Sequence, residues 1–552
     1  MMNTTKSFVM FLFLVFSWVN AEPADVMRIG SADSMTMLLR NSVNAESEGR
    51  NENVDWQKPV YIALAKGEFE NAQIVIEASS DQMLHEVKVT LTPFVCNNDS
   101  HHVWPPTNIS LWRVDDIEVY NLWEPHQSMG WFPDPLFPLE DTFSVAVGQR
   151  QRILVSFLAA ENMEAGVYKG EVVVTAGNMG TQRLPVEVTV WDFQLPKEQN
   201  FTLTIPIWGG QMEKMYPGTS TPQRRQSYLD MLYDHRVSPF PLTTDEIDHA
   251  LEKGVRKFNL GCFAKDSVEP EKAKTIGETA ALWRRKGWDK TAETFVLLGD
   301  EAPQEFYPFI QKQGNLMQEL APEVERCFTI SLEMIRDMDW VSSQMKGAAD
   351  TIIMGSGNCY PVDQLSRQIQ ANGFNLWWYY VASHYYIPTD SLEARQVFWR
   401  HWKYQVPGQL HWGMSYWGDS NIAGRDGKKW PDIPWDSKES RGGDGYLAYP
   451  APDGRAYLPS VRLELLRDGI EDYEYFHLLK VLTDDLEKSD NLGLDITRTI
   501  KGNRALLAID DNLVKSYAEY DKQPENYRAY RKLLAQAIID TQGLLLKQTY
   551  KK

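Results

Sequence analysis

From Phe201 onward the chain alternates short apolar runs with amphipathic stretches eight times, and few folds accept that grammar. "FTLTIPIW" precedes a helix expected over Pro222 to His235, where Tyr228, Leu229, Leu232 and Tyr233 share one face. "SPFPLTT" precedes a helix at Asp245 to Gly254, and "RKFNLGCF" one at Glu271 to Arg285. After "TFVLLGDE", Phe306, Phe309, Ile310, Leu316, Met317 and Leu320 recur at helical spacing. "RCFTIS", "DTIIMGS", "NLWWYYV" and "QLHWGMSYW" follow, each with a helix-like stretch behind it. Eight such units in about 260–280 residues is the size of a (β/α)8 barrel. Runs such as "TIIMG" and "FVLLG" need not alternate, because parallel strands are buried on both faces. A doubly wound sheet would show the same alternation, but usually with fewer strands and a glycine-rich turn after the first, and no such turn is present.

Upstream the pattern is different. From Val26 to about Leu195, runs such as "PVYIALAKGE", "AQIVIEASSD", "RILVSFLAAE" and "QRLPVEVTVWDF" alternate with period two between turn residues, the signature of a β-sandwich. The fold class read from the chain is therefore multidomain, β plus α/β: a β-sandwich over 22–198, a TIM-type barrel over 199–480 and a helical carboxy-terminal region over 481–552 packed on the barrel. Residues 1–21 read as a cleaved export signal, with Lys6, an apolar stretch from Phe8 to Val19, and Ala21 at the cleavage point. An exported protein, periplasmic or extracellular, is expected.

Composition narrows the chemistry. A formal charge of −19 argues against nucleic acid and anionic membrane surfaces, which need clustered cations. Beyond the signal, no run approaches the roughly 20 apolar residues of a membrane span. Cys96, Cys262, Cys327 and Cys359 stand far apart and read as isolated core thiols, while His101 and His102 lack the spacing of a metal site. Zinc-protease, serine-hydrolase and nucleotide-loop motifs are absent, so neither a metal nor a cofactor is expected. Eight of the 19 tryptophans fall between Trp377 and Trp435. Such a cluster suits an aromatic core and equally a site where indole faces stack on sugar rings.

Asp300 and Glu301, in "LLGDEAPQEF", follow the fourth strand, where the loops of a barrel mouth begin. In a cleft with little water each raises the pKa of the other, so one can remain an acid near neutral pH. Two carboxyls that straddle one bond stand roughly 5–5.5 Å apart in retaining glycosidases, and consecutive residues diverge too far for that. Adjacent acids can still divide the work if one protonates the leaving oxygen and the other orients a substrate group that attacks as nucleophile, as with a 2-acetamido sugar. The alternative is structural: Asp300 caps the next helix and Glu301 supports its dipole.

"VLLGDEAP", "SVRLELLRDGIEDYEYFHLL" from Ser460 to Leu479, "KGEFENAQIVIEAS" and "VTVWDFQLP" together resemble glycoside hydrolase family 123 and the related domain-of-unknown-function 4091 proteins. The resemblance implies a sandwich followed by a barrel, and exo-acting, retaining β-N-acetylgalactosaminidase chemistry on a glycan ending in a 2-acetamido sugar. It implies that Asp300 orients the acetamido N–H and that Glu301 is the general acid and then the base. Ala302 stands before Pro303 where relatives commonly have proline directly after the pair. For substrate contact the candidates are Trp378, Tyr379 and His384 after strand seven, Tyr416, Trp417 and Asp419 after strand eight, and Asp444 in a glycine-rich loop. Trp417 is expected as the floor for the acetamido methyl and Tyr379 as a donor to its carbonyl. The acidic "LRDGIEDYEY" is expected to be architectural, with Arg467 and Glu471 four apart and able to pair on the surface or against the barrel. A same-fold glycosidase with its own nucleophile and a silent glycan-binding protein are the competing readings.

Overall fold

Strict alternation in the amino-terminal part produces strands with one buried side, as in Val60–Lys66, where Val60, Ile62 and Leu64 are buried and Tyr61 is exposed. The computed structural model describes residues 27–40, 53–119, 129–207, 210–330, 337–356, 361–380, 384–417, 442–489 and 493–549. Residues 1–21 and Asp419 lie outside them. One six-stranded sheet runs Asp55–Trp56, Met27–Asp33, Glu68–Ala78, Arg150–Ala159, Ile109–Val119, Gly130–Pro138. A second runs Val60–Lys66, Gly180–Gln194, Gly166–Ala176, Leu84–Leu91, Phe143–Val145, with Val95–Cys96 paired to Gly166–Ala176. Ile74, Ile76, Ile153 and Val155 of the first sheet share one apolar cluster with Leu64, Val172, Val174 and Val188 of the second.

The eight apolar runs form eight parallel strands: Thr202–Pro206, Val237–Phe240, Lys257–Cys262, Glu293–Leu297, Glu325–Thr329, Thr351–Ser356, Asn375–Tyr380 and Gly408–His411. The ladder passes from the first strand to the eighth and back through the series to the third; the second and third lie side by side without sharing it, so the barrel is nearly closed. Phe295, Leu297, Cys327, Ile353, Trp377, Tyr379 and Leu410 fill its interior. The intervening Val296, Leu298, Phe328, Ile352, Met354 and Trp378 pack toward the helices, which is why these strands read as continuous apolar runs. Helices occupy Pro222–Asp234, Pro270–Lys286 and Tyr307–Leu320 as the periodicity requires. The one expected at Asp245 to Gly254 is shorter, a 3-10 turn at Thr244–Glu246 and then Ile247–Glu252.

Three helices, Val461–Glu487, Leu494–Leu507 and Pro524–Thr549, make up the carboxy-terminal part. The boundary expected between 480 and 481 falls inside the first of them. Its "LRDGIEDYEY" stretch is buried between the barrel and the first sheet. Arg467 pairs with Glu464 and Asp468, and not with Glu471 as i,i+4 spacing indicates; Glu471 instead accepts from Arg236 at 3.3 Å. Arg395 reaches Asp472 at 2.7 and 2.8 Å and Glu70, on strand Glu68–Ala78, at 3.0 and 3.1 Å. Burial removed the competition from water, so tertiary partners replaced the local one.

Candidate active site

The fourth barrel strand runs one residue past its regular end, with Leu298 N–H donating to the Cys327 carbonyl at 2.9 Å. Gly299 follows, and a side chain there would meet Ile310 Cδ1 at 2.5 Å and Lys265 Cα at 3.4 Å. The space a side chain would need is taken by Ile310, from the helix that follows. Asp300 comes next, then Glu301 with a φ of 46°. That left-handed conformation costs a non-glycine residue about 1–2 kcal/mol, and such strain is concentrated at functional sites. Ala302 is fully buried and bridges to Ile330 beside strand five.

Neither acid caps a helix. The following 3-10 turn is preceded by Pro303 and the α-helix by Phe306, both without a side-chain cap bond. Among the described residues, no group donates a hydrogen bond to either carboxylate. Asp300 is exposed at the mouth and Glu301 half-buried. Lost hydration raises the Asp300 pKa, opposed by the Lys265 ammonium. Glu301 is raised first by lost hydration and next by the charge of Asp300, again against Lys265. Both carboxyls are therefore held above their usual range, Glu301 in part by the charge of its neighbour, the kind of coupling that can set two adjacent acids apart.

Tyr379, from strand seven, faces this pair. Burial raises its phenol pKa, followed by the charges of Glu301, Asp300 and Asp444, so its hydroxyl stays protonated and able to donate. Trp412, half-buried against the interior cluster, donates from Nε1 to Asp444 Oδ1 at 2.8 Å. Tyr416 packs on Trp412 with ring centres 5.3 Å apart. The Cys262 thiol is pushed up to about 11, mainly by burial and then by Asp300, and lines the mouth as a neutral group.

Three expected contacts lie elsewhere. Trp378 has the opposite strand parity to Tyr379, so its indole sits among the helices, donating to Ser366 Oγ at 3.2 Å and packing on His401 at 4.5 Å. His384 is buried between Glu393 Oε2 at 3.1 Å and the Tyr517 hydroxyl at 2.7 Å, with burial lowering its pKa. Trp417 is fully buried in a cluster with Phe132, Met212 and Tyr449, its Nε1 donating to the Ala448 carbonyl at 2.9 Å, so it offers no open face. Conversely, no sequence pattern marks Lys265, although it too closely follows a barrel strand. Nor does any mark Asn259 and Thr329, on the strands flanking the fourth, whose Nδ2 and Oγ1 are buried without hydrogen-bond partners among the described residues. Among the described residues no cluster of His, Cys, Asp or Glu could hold a metal ion, and no helix is long and apolar enough to cross a membrane.

Family model and fold together define the class of the protein as a glycosidase, and its barrel mouth presents two adjacent carboxyls of raised pKa. More narrowly, residues 274–479 match the model of the glycoside hydrolase 123 catalytic domain, a span that holds Asp300, Glu301, Tyr379, Trp412 and Asp444. A family 123 glycoside hydrolase from Clostridium perfringens, described for glycolipid glycan hydrolysis, superposes with a TM-score of 0.63 at 14% identity, covering 95% of this chain and 99% of that one. A family 39 glycoside hydrolase from Bacteroides cellulosilyticus WH2 reaches only 0.30 at 9% identity, over 70% of this chain and 80% of that one. No curated protein matches the sequence.

Proposed function

We propose that the protein removes terminal β-linked N-acetylgalactosamine from glycans by substrate-assisted catalysis with retention. Glu301, as the neutral acid, gives its proton to the glycosidic oxygen while the bond from C1 to that oxygen breaks. The substrate's acetamido oxygen attacks C1 and forms an oxazoline, and the Asp300 carboxylate accepts a hydrogen bond from the acetamido N–H as positive charge grows there. Tyr379 donates to the acetamido oxygen and holds it under C1. Glu301, now ionised, takes a proton from water as that water opens the oxazoline at C1. Trp412 offers an apolar edge at the mouth and orients Asp444, which accepts from a sugar hydroxyl.

The observation that carries this reading is the pair itself: two consecutive carboxyls, both raised, without a hydrogen-bond donor among the described residues and beside a protonated Tyr379. We further read residues 1–21 as an export signal that sends the protein to the periplasm or outside, 22–198 as a β-sandwich, and 199–480 with 481–552 as the catalytic barrel and its helical extension. The glycolipid glycans of the Clostridium perfringens relative make an N-acetylgalactosamine terminus a reasonable substrate. A second reading, a separate enzyme nucleophile, has Asp444 as its candidate because that carboxylate bears on Tyr379. Replacing the acetamido group of an aryl β-glycoside by mono-, di- and trifluoroacetamido groups distinguishes them. Each fluorine weakens the carbonyl as a nucleophile, so kcat/KM falls steeply along the series if the substrate attacks itself. A flat series transfers the role to Asp444.

A further inference from the structure

A second cleft, of about 810 Å³, lies between the two amino-terminal sheets and the carboxy-terminal helix, and its lining includes none of the residues of the barrel mouth. Its floor follows from strand alternation. Val60–Lys66 buries Val60, Ile62 and Leu64 and turns Tyr61 and Ala63 outward. The parallel neighbour buries Val186, Val188 and Val190 and turns Glu187, Thr189 and Trp191 to the same side. Tyr61 stands in register with Glu187, and Trp191 lies four residues further, about 13 Å along the strand. Tyr61 is 73% exposed, an unusual loss of apolar burial for a ring set among polar neighbours such as Asn53, Glu187 and Thr189.

The cleft is lined by Arg528, Arg531 and Lys532, and its two arginines are not open to an anion. Arg528 is held by Asp33 at 2.7 and 3.1 Å and by Glu70, and Arg531 by Glu70 at 2.9 Å, Asp472 at 2.8 Å and Glu68. Their forks are already matched by carboxylates. What the floor presents instead is an open aromatic face flanked by an amide and a hydroxyl, with Glu187 beside it already paired to Lys169 at 2.7 Å, a combination that suits the flat, hydroxylated face of a pyranose.

We propose that this cleft is an accessory glycan-binding site for an uncharged oligosaccharide, with one ring stacked on Tyr61 and its neighbours extending toward Trp191. The inference rests on the glycosidase assignment for its class of ligand and not on which terminal sugar is cleaved. Its test uses the full chain and two probes: a neutral tetrasaccharide ending in β-linked N-acetylgalactosamine, and the trisaccharide left when that sugar is missing. Calorimetric titration should show the trisaccharide binding, at least about tenfold more weakly after Tyr61→Ala, the scale of losing one aromatic anchor. Tyr61→Trp should retain binding, and both variants should hydrolyse an aryl N-acetyl-β-galactosaminide like the parent. Equal affinities in Tyr61→Ala and parent, no trisaccharide binding, or binding confined to polyanionic oligosaccharides and abolished by salt would each overturn the proposal. Trisaccharide binding in a protein that leaves the aryl N-acetylgalactosaminide intact would instead remove the substrate reading and leave this cleft standing.

Discussion

Replacing Glu301 by Gln tests the acid most directly, because the structure isolates the effect. No described residue donates to the Glu301 carboxylate, the side chain is half-buried, and Gln preserves its shape. The fold should therefore shift by no more than about 0.5 kcal/mol, the usual range for a substitution that breaks no buried interaction. The chemistry should suffer far more. A positioned general acid is worth about 10²–10⁴-fold, or about 3–5 kcal/mol of barrier. That full deficit belongs to an alkyl glycoside, whose leaving oxygen must be protonated as it departs. A dinitrophenyl glycoside leaves as a stabilised anion and needs little help, so its loss should be much smaller until water attack limits turnover. Initial rates on both substrates, with a thermal unfolding curve of each protein, give the comparison. A kcat/KM on the alkyl glycoside within about threefold of wild type would refute the assignment. So would an equal loss on both substrates with an unchanged unfolding curve.

Asp300→Asn removes the negative charge that helps to raise Glu301. The Glu301 pKa should then fall, and the alkaline limb of kcat/KM, which follows loss of its proton, should move to lower pH; an unmoved limb in a pH–rate profile would count against the coupling. Tyr379→Phe deletes a hydroxyl held protonated by burial and by three carboxylates. It should cost 2-acetamido substrates about 1.5–3 kcal/mol in kcat/KM, the range of a hydrogen bond involving charge, while a substrate lacking the acetamido group changes little. Arg395→Met leaves Glu70, Asp468 and Asp472 buried without their shared cation. Urea denaturation should register a loss of about 3–5 kcal/mol, and a midpoint equal to wild type would show that the network is dispensable.

The barrel was legible because its signal is redundant: eight apolar runs separated by helical stretches leave few alternatives. The sites were legible only where position alone decides. Asp300, Glu301 and Tyr379 follow or end barrel strands with the correct parity, and they meet. Trp378 is one residue out of phase and faces the helices, a difference the doublet "WW" hides until the register is known. Trp417 and His384 are drawn into packing by Phe132 and Tyr517, residues nearly 300 and just over 130 positions away, and no local pattern encodes such distances. Asp444 is reached by Trp412 across 32 residues for the same reason. The architectural role of the charged helix stretch is legible, but its partners are not, because i,i+4 spacing governs solvated helices and this stretch is buried on all sides.

The backbone at Glu301 explains how adjacent acids can work together at all. On an extended strand, consecutive side chains point to opposite faces, so Asp300 and Glu301 would be separated by the chain that joins them. A left-handed residue breaks that alternation. It turns the chain enough for Ala302 to drop into the core against Ile330, while both carboxylates feel each other, Lys265 and Tyr379. Gly299, just before the pair, leaves the space that Ile310 Cδ1 fills against the strand end. The strain is supported by fully buried neighbours, Leu298 before the pair and Ala302 after it. Elsewhere in this acidic chain, buried carboxylates such as Glu70, Glu393 and Glu464 are held by arginines that lower their pKa. At the mouth no described arginine pairs with either acid and the backbone is bent instead, so that two carboxyls which would normally be paired or separated are left together and protonatable.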